Sequence, residues 1–83
     1  QETFNIVLNP SGKTISTEKF ADLLNQHSKI NFFIGGAFGL PHEFTKLNDF
    51  NLSLTPLTMS HKIAKLVLFE QIYRGLSINN NQK

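Results

Sequence analysis

Apolar and polar positions alternate between two periods along this chain, and the switches mark its elements. Phe4-Asn5-Ile6-Val7-Leu8 is a short β-branched and aromatic run that stops at the turn formers Asn9-Pro10-Ser11-Gly12, so it predicts a strand followed by a loop. A helical period follows. Ser16 is placed to cap it, Ile15 and Phe20 stand at staple spacing, and Phe20, Leu23 and Leu24 share one face. The pattern breaks at His27-Ser28-Lys29, and Ile30 to Ile34 is apolar enough to be an interior strand. Two strands separated by a helix predict a parallel pair.

Ile34 runs into Gly35-Gly36-Ala37-Phe38-Gly39. Glycine takes positive φ and lets another backbone or a flat ligand approach closely, and the carboxyl ends of parallel strands are where such sheets bind ligands. Beyond this turn, Pro41 suits a first helical position, and Phe44 with Leu47 predicts a short helix ending near Asn48-Asp49. Asn51-Leu52-Ser53-Leu54 alternates like a strand, Thr55 to Met59 reads as a loop, and a long helix is predicted from about His61 to Leu76. Its apolar members Ile63, Ala64, Leu66, Val67, Leu68, Phe69, Ile72, Tyr73 and Leu76 cover nearly the whole circumference. Such a helix is buried on both sides: one side is expected on this chain's sheet, the other on a second subunit or further chain.

Composition narrows the class. With 83 residues, 40% hydrophobic and 17% charged, the chain suits a single globular domain with a modest core. It has no cysteine, which excludes disulfides and thiolate metal sites and makes the cytoplasm the default compartment. No apolar run reaches the roughly 18 residues of a membrane span. The net charge of +2 permits a nucleic-acid partner without arguing for one. The chain opens at Gln1 without an initiator Met and closes on a polar Asn-rich tail, so we expect a fragment of a longer protein.

Ser11-Gly12-Lys13-Thr14 after a strand resembles a phosphate loop, but the glycine that loop needs five positions earlier is Val7. The dinucleotide fingerprint fails too, because its second glycine would fall at Ala37. On spacing alone, the glycine turn stays open between a tight corner and a ligand-binding turn. His27, His42 and His61 show no metal-ligand spacing, so no metal is expected. His61 stands where the Thr55 to Met59 loop meets the long helix, either as a plain helix-start residue or as an imidazole beside a ligand loop.

Three segments together carry a resemblance. They are Leu8-Asn9-Pro10-Ser11-Gly12-Lys13, then Phe33-Ile34-Gly35-Gly36-Ala37-Phe38-Gly39-Leu40, then Leu52 through His61 running into Leu68-Phe69-Glu70-Gln71-Ile72-Tyr73-Arg74. In this order they resemble the ribosomal RNA large-subunit methyltransferase H family of the SPOUT superfamily. The resemblance implies an α/β fold with a mostly parallel sheet flanked by helices and a trefoil knot, of which residues 1–83 form the C-terminal, cofactor-binding and dimerising part. It also implies a cytoplasmic homodimer, associating through the 61–76 helix, that transfers a methyl group from S-adenosylmethionine to N3 of a pseudouridine in large-subunit ribosomal RNA. The cofactor contacts it implies fall on Leu8, Gly35, Leu54, Thr55, Pro56, Leu57, Thr58 and Met59. His61 and Arg74 are candidates for influencing the proton on the target nitrogen or the RNA, with an ion pair to Glu70 as the competing role of Arg74.

The chain departs from the family's pattern at Asn9, often acidic there, at Phe38, at Ser60, where a proline is usual, and at Pro56, which has no amide hydrogen to donate. The family also extends beyond both ends of this chain, with a further N-terminal region and a short Tyr-His-Arg/Lys tail. Phe38 and Pro56 motivate an alternative, a non-catalytic dimerisation or RNA-binding module with an altered pocket.

Overall fold

The computed structural model describes residues 3–34 and 49–80. The glycine turn and the helix predicted after it, with Gly35, Phe38 and His42, lie outside the described residues. Three strands, β1 (Phe4–Lys13), β2 (Ile30–Ile34) and β3 (Phe50–Leu52), form a parallel sheet in the order β2-β1-β3. Two helices, α1 (Thr17–Gln26) and α2 (His61–Asn79), accompany it.

The strand period of two explains the core. Register aligns Phe4 with Ile30, Ile6 with Phe32 and Phe50, and Leu8 with Ile34 and Leu52. These rows of apolar side chains share the face on which Phe20, Leu68, Leu24 and Ile72 of the helices gather. The alternate positions Asn5, Val7, Asn31, Phe33 and Asn51 belong to the other face, where Val7 is also buried. At the amino edge, Asp49 accepts from the Asn5 amide through Oδ2 at 2.8 Å and returns its own N–H to the Asn5 carbonyl at 2.8 Å. His27 closes α1 by stacking flat on Phe4, ring centroids 3.8 Å apart.

β1 differs from its prediction. The expected loop at Asn9 to Gly12 lies inside the strand, which runs on to Lys13, and both Leu8 and Lys13 align with Leu52. The turn chemistry is nonetheless present. The Asn9 Oδ1 accepts from the Ser11 N–H at 2.9 Å, so four residues bulge out and the ladder resumes beyond them. Smaller differences are at element ends: β3 stops at Leu52 instead of Leu54, and α2 continues three residues past Leu76.

Each helix begins on a serine. The Ser16 hydroxyl accepts from the Lys19 N–H at 3.1 Å, and Ser60 accepts from Ile63 at 3.3 Å, satisfying donors that the helix itself cannot. Ser60, where a proline is usual, therefore acts as an N-cap. α2 packs along α1 and sends Leu68 and Ile72 into the core on the face of the sheet, so one of its sides meets this chain's own core as expected. Thr17 donates to Gln71 Oε1 at 3.0 Å and the Asn79 side-chain amide donates to the Ala21 carbonyl at 2.9 Å, so the two helices run side by side in the same direction. Gly75 lets them approach: a Cβ there would meet Leu24 Cδ1 at 2.7 Å and the Ala21 Cα at 3.4 Å.

The other side of α2 is open. Leu66, Phe69, Tyr73 and Leu76 are exposed and recur at the helical period, forming a stripe opposite the buried Leu68 and Gly75. No helix among the described residues is long and apolar enough to cross a membrane.

Candidate functional site at the carboxyl edge of the sheet

Parallel pairing points all three strands toward one edge, and there the register brings the three resembling segments into a single row, with Leu8 the last β1 residue before the bulge. Leu8 stands in the centre, Ile34 beside it on β2 immediately before Gly35, and Leu52 on β3 two residues before Leu54. Sequence separations of 26 and 44 residues are thereby reduced to neighbouring strands.

The implied contact residues sit differently within this edge. Leu8 is a core residue packed with Ile6, Phe20, Leu52 and Leu68, so its side chain is committed to the interior and its backbone is what it offers the edge. Leu54 packs against the same core, whereas Thr55 and Met59 are half-buried and Pro56 and Thr58 are exposed. Leu57 is 73% exposed, the most open large apolar side chain among the described residues. Its N–H donates to Thr55 Oγ1 at 3.3 Å, a local turn that shapes the loop. Gly35 lies outside the described residues.

The bulge of β1 forms the second side of this edge. Ser53, 3% exposed, donates its hydroxyl to the Pro10 carbonyl at 3.1 Å, and its N–H bonds to the Lys13 carbonyl at 2.9 Å. Gly12 passes so close to β3 that a Cβ would fall 2.8 Å from the carbonyl carbon and oxygen of Asn51. Neither residue was singled out from the sequence as part of a site. The only signal available was an Asn-Pro-Ser-Gly turn within reach of a strand, which does not say what the turn docks against.

A half-open cleft of about 230 Å³ lies next to this edge, between the start of α1, the end of β3 and α2. Ile15, Ser16, Thr17, Phe20, Leu52, Ser53, Leu54, Val67 and Gln71 line it. Of the implied cofactor residues only Leu54 is among them, and its volume is below the roughly 300–1,000 Å³ of ordinary ligand sites.

His61 and Arg74 are not brought together. Both are exposed on α2, and 13 residues of helix separate them by about 20 Å. Arg74 Nε donates to Glu70 Oε2 at 2.6 Å, the i,i+4 pair expected as its competing role. His61 opens α2 one residue beyond the Leu54 to Met59 loop, after the Ser60 cap. Among the described residues, no three His, Asp or Glu side chains gather as a metal site.

The full length of the chain, residues 1–83, matches the family model described as "Predicted SPOUT methyltransferase". The chain belongs to the SPOUT methyltransferase family. Among curated relatives it is 59% identical over 78 residues to the ribosomal RNA large subunit methyltransferase H of a Nitratiruptor species, covering 94% of this chain and 51% of that protein. The protein of the same name from Campylobacter concisus is 50% identical over 78 residues, covering 94% and 52%. That from Wolinella succinogenes is 49% identical over 77 residues, covering 93% and 50%. The chain thus spans about half the length of the curated relatives it matches. Membership of the SPOUT family agrees with the parallel α/β sheet described above.

Proposed function

We propose that this chain is the cofactor-binding and dimer-forming part of an S-adenosylmethionine-dependent methyltransferase that acts on N3 of a pseudouridine in large-subunit ribosomal RNA. The protein works in the cytoplasm as a homodimer with the knotted chain course of its family. The observation that carries the reading is the row Ile34–Leu8–Leu52, from which the implied cofactor segments all depart. The residues there suit the group: an apolar edge with main-chain donors and acceptors fits a flat, weakly charged heterocycle better than it fits a phosphate. When bound, the cofactor supplies a sulfonium methyl that is already strongly electrophilic.

The protein's own task is alignment and exclusion of water. In the Leu54 to Met59 loop, Pro56 has no N–H and the Leu57 N–H is engaged by Thr55, so donation falls to Leu54, Thr55, Thr58 and Met59. Leu57 covers the ligand's face, which explains an apolar side chain left so open. His61, next along the chain, is the residue within reach of the loop to accept or polarise the proton of the target nitrogen. Arg74, far along α2, acts instead on RNA phosphate when released from Glu70. The stripe Leu66, Phe69, Tyr73 and Leu76 is the dimer contact, a self-complementary helix face of the kind twofold symmetry uses.

Calorimetry of the full-length protein with S-adenosylmethionine and its demethylated product tests the reading, together with transfer of labelled methyl to ribosomes. Micromolar binding and one methyl per ribosome are expected, and Gly35→Val is expected to abolish binding while leaving the dimer intact. Absence of affinity for either ligand would replace this reading with the non-catalytic module.

A further inference from the structure

We infer that Ser53 is a positioning residue that clamps the β1 bulge to the loop holding the cofactor, and that Gly12 makes the clamp possible. The inference deepens the cofactor reading above and rests on it. Ser53 is a polar member of the alternation Asn51-Leu52-Ser53-Leu54, yet its hydroxyl stands at a position only 3% exposed. A buried hydroxyl is retained at a cost unless it is hydrogen-bonded, and this one is used across the strand boundary. It donates to the Pro10 carbonyl at 3.1 Å in the bulge, while the Ser53 N–H donates to Lys13 at 2.9 Å where the ladder resumes. One residue therefore holds both sides of the bulge, from the position immediately before Leu54.

Gly12 sets how closely this can happen. Its missing Cβ would lie 2.8 Å from the Asn51 carbonyl carbon and oxygen and 3.1 Å from the Asn9 carbonyl, all backbone atoms with no freedom to swing aside. Asn9 braces the bulge internally by accepting from the Ser11 N–H. The result is a rigid connection from Asn9, which follows the central Leu8, to Leu54, which opens the loop. Loosening it leaves the core rows Phe4–Ile30, Ile6–Phe32 and Leu8–Ile34 untouched, because none of them uses Ser53. A ligand spanning the two segments then binds more weakly, since the loop must be ordered at the moment of binding.

The test compares the full-length protein with Ser53→Ala and Ser53→Thr, measuring S-adenosylmethionine affinity by calorimetry and backbone amide exchange by mass spectrometry. Ser53→Ala is expected to weaken binding by about five- to tenfold, the effect of one lost hydrogen bond. Exchange is expected to rise about tenfold in residues 9–13 and 54–59 and not in α2. Ser53→Thr restores the hydroxyl and is expected to lie within about twofold of the parent on both readouts. Affinity of Ser53→Ala within about twofold of the parent, or faster exchange confined to residues 9–13, overturns the coupling. A parent that binds no S-adenosylmethionine overturns the cofactor reading instead, and the exchange arm then judges the clamp by itself: equal exchange in parent and Ser53→Ala removes it. Should Ser53→Ala fail to fold, Ser53→Cys, which keeps volume but donates weakly, takes its place under the same criteria.

Discussion

α1 and α2 begin alike and end as opposites. Each starts on a serine cap, each presents one face to the other, and Thr17–Gln71 and Asn79–Ala21 tie them along their length. α1 is one-sided: Phe20 and Ala21 are buried, Leu23 and Leu24 half-buried, and its remaining face is largely polar. α2 buries Leu68 and Gly75 on the shared side and leaves Leu66, Phe69, Tyr73 and Leu76 open on the other. A helix whose apolar residues are all used within its chain is structurally complete, whereas one with a second apolar stripe is written for a second contact.

The largest effect expected from this difference is on association. Leu66→Glu with Phe69→Glu places carboxylates on the open stripe, and burial of unpaired charge is expected to raise the dimer dissociation constant by about three orders of magnitude or more, read by sedimentation velocity of the full-length protein. A dimer of unchanged strength would remove the two-sided reading of α2. Next is the shared face: Leu68→Ala, 3% exposed and in the core cluster, is expected to cost about 2–5 kcal/mol in chemical denaturation. The same measurement on Gly75→Leu is expected to show a loss of about 1–3 kcal/mol, because the new side chain must displace Leu24 and press on the Ala21 backbone. A neutral Gly75→Leu would mean that the helices are less tightly seated than their contacts indicate. Smallest are the caps. Ser16→Ala and Ser60→Ala are each expected to cost about 1 kcal/mol, and near-equal values would sharpen the contrast by showing that the helices differ in faces and not in ends.

The two helices also show why some of this molecule was legible in its sequence. α1 has one stripe, so its period, its cap and its buried face at Phe20 were all readable. α2 was readable as a helix with two apolar sides, but its period could not say which side meets α1. That choice falls to Gly75, where the absence of a side chain permits the approach. At the candidate site, the three apolar runs were identified from sequence, and the parallel register brings Leu8, Ile34 and Leu52 into one row, although β1 itself runs on to Lys13. Alternation within Phe4-Asn5-Ile6-Val7-Leu8 sends the Leu8 side chain to the core and leaves its backbone for the edge.

By itself the sequence determined what depends on near neighbours: three strands from apolar runs, two helices from their period and, for the first, its Ser16 cap, and a turn at Asn9 to Gly12 from its residue types. Tertiary structure alone decided what that turn does. Its four residues would end a strand in isolation, yet Ser53 and the bare backbone of Gly12 hold them against β3, and the ladder resumes at Lys13. The reason is one of range. Turn and helix signals act within about four residues, whereas the hydroxyl that holds this bulge lies 43 residues away and meets it only when the strands pair.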